Sequence, residues 1–222
     1  MGRETGSLNT VPSNYAQCTG RIVYKNFSEE EGTLYIVLSL FSPKWASREQ
    51  KTGSHSINAD HPSFIINGDQ AEACNDEFDI GDYVTVIGYA DTRETFVFCG
   101  NNTYRKKWTT AIVAKEVFRD QGHENVNFVT VSGEIIRVYR NDEKGKKLYI
   151  ITVKTQKDKD TPEAKVNFAH FDVDMKLEPE KGNRIFMTGS IHTKNARSDE
   201  SGRSRRIKLT SIVAKSITVI RQ

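Results

Sequence analysis

Two stretches of this 222-residue chain set cations beside aromatic rings. The segment Ala90 to Lys107 and the residue after it hold Arg93, Arg105, Lys106 and Lys107 with Phe96, Phe98, Tyr104 and Trp108. Lys44-Trp45-Ala46-Ser47-Arg48 repeats the combination on a smaller scale. A third stretch, Ser190 to Arg206, carries His192, Lys194, Arg197, Arg203, Arg205 and Arg206 against only Asp199 and Glu200. Cationic side chains neutralise phosphates and release counterions. Flat rings stack on unpaired bases. These residue types therefore suit capture of an unpaired polynucleotide. Trp108 is either a stacking platform or a plug at the end of the fold. The Gly and Ser content of Ser190 to Arg206 predicts a flexible loop that orders on a phosphate backbone.

Other chemistries lack their residues. No Gly-x-x-x-x-Gly-Lys-Ser/Thr run cradles a nucleotide, and no Cys-x-x-Cys pair suggests zinc. His55 and His61, near Asp60, read as a polar loop. Asp76, Glu77, Asp79 and Asp82 read as helix-end and turn residues, because calcium-loop spacing and the central glycine are missing. Asp172 and Asp174 share one face of a strand and suit Mg²⁺, but no further carboxylate or base stands at a recognisable spacing. No Ser-His-Asp or Cys-His pairing can be argued. The expectation is a protein that is not an enzyme and uses no cofactor or metal.

Hydrophobic residues make up 36% of the chain and charged residues 27%. No run approaches the roughly 18 apolar residues of a membrane span, so no membrane partner is expected. Met1 to Gln17 is polar, lacks a signal-peptide core and is expected to form an arm that is either flexible or paired with a neighbour. Cys18, Cys74 and Cys99 are too few and scattered for a disulfide framework. A reduced, cytoplasmic protein is expected. The net charge of +3 hides an asymmetry. Residues 1–124 hold 12 basic and 17 acidic side chains, a net −5, whereas residues 125–222 hold 20 and 12, a net +8. A polyanion would engage mainly the second half.

The elements that must position these residues recur twice. Gly20-Arg21-Ile22-Val23 matches Gly133-Glu134-Ile135-Ile136, and Leu34-Tyr35-Ile36-Val37 matches Leu148-Tyr149-Ile150-Ile151. Gly81 to Gly88 matches Gly182 to Gly189, and Ile112-Val113-Ala114-Lys115 matches Ile212-Val213-Ala214-Lys215. A period near 100 residues makes each copy a domain, 18–124 and 125–222. The matched segments are short, rich in Val, Ile, Tyr, Phe and Thr, and bounded by Gly, Asn or Asp, so they read as strands. One helix is predicted over Gln70 to Phe78. Five strands per copy, with at most one short helix each, is the order of an OB-fold barrel. The fold class is all-β, two such barrels in tandem.

Alternation on the second strand sends Leu34, Ile36 and Leu38 inward and Tyr35 and Phe41 outward. The repeat match makes Tyr149 the counterpart of Tyr35. An OB barrel binds outside its second and third strands, so these rings are candidate stackers or an interface between domains or subunits. Trp45 is a third candidate. On the proposed third strand of the second copy, Phe168 and Phe171 have opposite parity, so at most one faces a ligand.

Gly81-Asp82-Tyr83-Val84-Thr85-Val86-Ile87-Gly88-Tyr89, then Arg93, then Lys106-Lys107-Trp108 leading into Ala111-Ile112-Val113-Ala114, is similar to the second half of single-stranded-DNA-binding proteins. Thr19-Gly20-Arg21-Ile22-Val23 resembles their first strand. The resemblance implies an OB fold and sequence-tolerant binding of single-stranded DNA in replication, recombination or repair. The chain departs from the family in running to Arg221-Gln222 without an acidic tail, and in holding two barrels. Recruitment through such a tail is not expected, and a phage or mobile-element origin fits. The same surface permits RNA as a partner, and self-association. The alternative is a structural module that joins proteins.

Overall fold

The protein is described from a computed structural model over residues 13–41, 59–98, 104–121, 125–143, 146–157, 159, 161–171, 178–200 and 203–220. The elements are β1 (Asn14–Ser28), β2 (Thr33–Phe41), β3 (Ala59–Asp60), β4 (Ser63–Asn67), α1 (Asp69–Glu77), β5 (Tyr83–Phe98) and β6 (Tyr104–Arg119). They continue as β7 (Asn127–Glu143), β8 (Lys146–Thr155), β9 (Lys165–Phe171), β10 (Arg184–Glu200) and β11 (Arg203–Ile220).

Alternation decides which side chains enter the core. Leu34, Ile36, Leu38 and Leu40 are buried, while Tyr35, Val37 and Ser39 between them are half-buried. Hydrogen-bonded neighbours run β1–β2–β4–β6–β5 and back to β1, a closed five-strand barrel. All these pairings are antiparallel except β4 with β6. The same pattern runs β7–β8–β9–β11–β10 and back to β7, with β9 and β11 parallel. Closure gives each strand of a circuit two neighbours, whereas the short β3 pairs with β2 alone.

The repeated glycines mark close approaches. A Cβ on Gly88 would collide with the carbonyl oxygen of Val113, and one on Gly189 with that of Val213. Both sit at the bulge where a long strand bends, after Ile87 and after Thr188. Glycine is the residue that lets the two backbones meet there.

The helix lies one residue ahead of its predicted span. It buries Ala71 and Cys74. The ammonium of Lys25 donates to the carbonyls of Asn75 (2.8 Å) and Phe78 (2.7 Å), at the negative end of the helix. Cys18 and Cys74 are buried free thiols; burial, the main cause, pushes both thiol pKa values up. Among the described residues no helix is long and apolar enough to cross a membrane.

Three features differ from expectation. Strand β1 begins at Asn14, inside the segment expected as an arm, because Asn14 to Cys18 pair with β7. The basic segment expected as a flexible loop is a β-ribbon: β10 runs to Glu200, β11 starts at Arg203, and the pairing extends to Glu200 opposite Arg203. In the Ala90 to Lys107 segment, where Thr95-Phe96-Val97-Phe98 reads from sequence as one arm of a β-ribbon, β5 and β6 do continue to Phe98 opposite Tyr104. A two-stranded ribbon satisfies its own backbone groups and needs no buried face, so neither arm requires hydrophobic alternation.

The third difference is one of register. Both hairpins carry a bulge, between Ile22 and Tyr24 and between Ile135 and Arg137. Ile22 faces Leu38, and its counterpart Ile135 faces Val153. The true equivalent of Leu34 is therefore Tyr149, and that of Tyr35 is Ile150. The match drawn from sequence is one residue out, and a slip of one exchanges the two faces of a strand.

Candidate nucleic-acid interface

The outer face of the first circuit is built by β2 and β4, with Tyr35 opposite Ile65 and Val37 opposite Ser63. Tyr35 is half-buried and its hydroxyl donates to the carboxylate of Glu31 at 3.1 Å. Partial burial, then this bond, raises its phenol above the ordinary value, while the charge of Arg93 opposes the rise. Burial, then the charge of Asp91, raises the Tyr89 phenol, and the charge of Arg93 opposes that rise as well. Arg93 remains largely exposed and pairs with Asp91 at 2.9 Å.

The corresponding face of the second circuit, β8 and β9, is partly roofed. There Ile150 stands opposite Ala169 and Thr152 opposite Asn167. Strands of both halves enclose a cleft of about 360 Å³ against it. Lys107 and Trp108 enter from β6, Lys194 from β10 and Leu209 from β11, facing Leu148, Ile150 and Asn167. Trp108 is 36% exposed, so it is no barrel plug. The Lys106 ammonium lies 5.8 Å from its ring centroid and is also paired with Glu94. The cleft floor is polar and buried: Thr92 Oγ1 lies 2.8 Å from Thr110 Oγ1 and accepts from the Asn167 backbone N–H at 3.0 Å.

The candidates thus fall into groups. Lys107, Trp108 and Lys194 meet at this cleft; Lys106 sits beside Trp108; Tyr35 stands on the other face, within reach of the charge of Arg93. Tyr149 and Phe168 are corrections. They are 3% and 1% exposed and pack in the core rather than on an outer face. The register slip explains Tyr149, and parity places Phe168 on the inward side of β9 opposite Ile151. The Tyr149 hydroxyl, at 3.3 Å from Glu178, is its polar exit. Phe41, Phe96, Arg105, Arg197, Arg203, Arg205 and Arg206 occupy strand positions, with side chains outside the described residues. Trp45, Cys99, Asp172 and Asp174 lie outside the described residues altogether.

Sequence reasoning missed the groups that join the halves. The Asp60 carboxylate, almost fully buried, accepts from the Thr193 N–H at 2.7 Å and sits 2.9 Å from His192 Nδ1. His192 Nε2 lies 2.9 Å from Ser190 Oγ. This Ser-His-Asp chain spans 132 residues of sequence, and no local spacing signals it. Ser190 is buried, and the three groups tie β3 to β10. Burial would raise the Asp60 carboxyl, but bonds from His192 and Thr193 outweigh it and hold the group below the usual carboxylate value. Asn14 and Asn127 were also missed. Each amide closes two bonds on a backbone, Asn14 with Ala90 (2.7 and 2.9 Å) and Asn127 with Ile191 (both 2.8 Å). The two are equivalent by the repeat, which was the available signal. Among the described residues no group of three or more His, Cys, Asp or Glu is placed to hold a metal.

Comparison with solved structures gives the architecture its place. The crystal structure of the wild-type single-stranded DNA binding protein from Thermus aquaticus superposes with a TM-score of 0.61 at 15% identity, covering 94% of this chain and 92% of that one. A deletion variant of that protein gives 0.59 at 14% identity, covering 94% of both chains. The chain shares their fold. At this identity the likeness is one of fold alone, and it extends over nearly the whole length. No family model and no curated protein matches the sequence.

Proposed function

We propose that the chain is a tandem of two OB barrels, residues 14–124 and 125–222, that binds and shields single-stranded DNA without strong sequence preference. The observation that carries this reading is the cleft where Lys107, Trp108 and Lys194 converge on the outer face of β8 and β9. That is the face on which OB barrels hold oligonucleotides. Cation and ring meet there in the combination that single strands require. The fold shared with a single-stranded DNA binding protein of Thermus aquaticus supports the same reading. Coating of exposed strands during replication, recombination or repair is the role that such binding serves.

Titration with dT oligomers of increasing length at two salt concentrations tests the proposal. Binding that tightens with length and weakens with salt is expected. Unaltered emission and mobility at low ionic strength with every oligomer would sink it. Competition between oligo-dT and oligo-U then separates DNA from RNA, since stacking alone does not read the 2′-hydroxyl.

A further inference from the structure

The cleft between the halves has features that a merely electrostatic track does not need. Its walls are apolar, with Leu148 and Ile150 on one side and Leu209 and the Trp108 indole on others. Its volume of about 360 Å³ lies within the range of small-ligand clefts. Asn167, nine-tenths buried in its lining, carries a buried side-chain oxygen that meets no hydrogen-bond partner among the described residues. Leaving such an acceptor unpaired is costly. Two lysines, Lys107 and Lys194, stand exposed at the cleft on different halves and form no ion pair among the described residues.

We propose that this cleft is a seat for one unstacked nucleobase, built jointly by the two halves. The proposal rests on the single-strand reading above and deepens it. The base lies against the Trp108 ring and the Leu148, Ile150 and Leu209 side chains. An N–H on its pairing edge supplies the Asn167 amide with the missing partner; every natural base offers such a donor. Lys107 and Lys194 hold the phosphates on either side, so the strand passes from one half to the other at this point. An isolated sugar-phosphate chain would satisfy the lysines but neither the amide nor the apolar walls.

The test uses the full chain carrying Trp45→Phe, which leaves Trp108 as the one tryptophan. Oligo-dT should quench its emission, while an abasic oligomer of equal length should bind through the cations without quenching. Asn167→Leu removes the unpartnered acceptor, so thermal stability should hold or rise while oligo-dT affinity falls about tenfold. Ile150→Ala, a milder change on an exposed face, should lower quenching in the same direction. Oligo-dT that binds with Trp108 emission unaltered would overturn the seat and leave the broader function standing. Quenching indifferent to both Asn167→Leu and Ile150→Ala would place the stacked base outside the cleft, and also overturn it. Failure of any oligomer to bind would overturn both readings.

Discussion

Tyr35 and Tyr149 look alike in sequence and stand in opposite environments. Tyr149→Ala should cost about 3–5 kcal/mol, the range for removing a buried ring, measured by urea unfolding. Tyr35→Ala should leave stability within about 1 kcal/mol but weaken oligo-dT binding, since stacking is worth about 1–3 kcal/mol per base. Equal stability losses would contradict the register described above. Asp60 has its own signature. Its native pKa is depressed, so its contribution is complete above the ordinary aspartate range near pH 4 and is lost as pH falls through the native value. Asp60→Ala should destabilise by about 1–3 kcal/mol at pH 7, leaving His192 and the Thr193 N–H without their acceptor, and should flatten the acid limb of stability against pH. An acid limb identical to the parent's would assign that limb to other carboxylates.

At the level of elements, strands announce themselves more readily than ribbons do. The alternation of Leu34, Ile36, Leu38 and Leu40 is legible because one face is buried. The β10–β11 ribbon is not, because its order comes from backbone pairing between its two arms. Held on a ribbon, Arg203, Arg205 and Arg206 occupy positions fixed relative to one another along the backbone. Replacing all three by alanine should lower affinity and reduce the slope of log K against log salt by about 0.7 for each phosphate that is no longer neutralised. An unaltered slope would separate the ribbon from the DNA. The paired asparagines are also element-scale devices. Each substitutes for a missing strand neighbour, so Asn127→Ala should cost about 1–3 kcal/mol by leaving the Ile191 backbone groups buried without partners.

Across the whole molecule, the two halves meet with approximate two-fold symmetry. Ala16 pairs with Val129, its own equivalent in the repeat, and the pairing is antiparallel about that point. The flanking bonds mirror each other: Thr19 N–H to Val126 O at 2.9 Å, and Ser132 N–H to Ser13 O at 2.7 Å. This is the isologous geometry of a dimer interface, realised within one chain. Because β1 and β7 belong to both a circuit and this junction, the halves should unfold together. Calorimetric and van't Hoff enthalpies should agree within a single transition. Two separated transitions would mean that the junction does not couple them. The Asp60–His192 pair breaks the symmetry, and so does the cleft, which lies against the second outer face.

From its residues alone the chain declared a twofold repeat, strands in OB order, one short helix near residue 70 and cations placed among rings. Those properties are local: alternation, turn residues and composition are written along the backbone. Tertiary packing decided which way Tyr149 points, that Trp108 faces Ile150, and that Asp60 reaches His192. The reason is physical. A slip of one residue in register inverts a strand's faces without altering its composition. Side chains more than a hundred positions apart meet only after the two halves of the chain pack together, and no spacing along the chain records that packing.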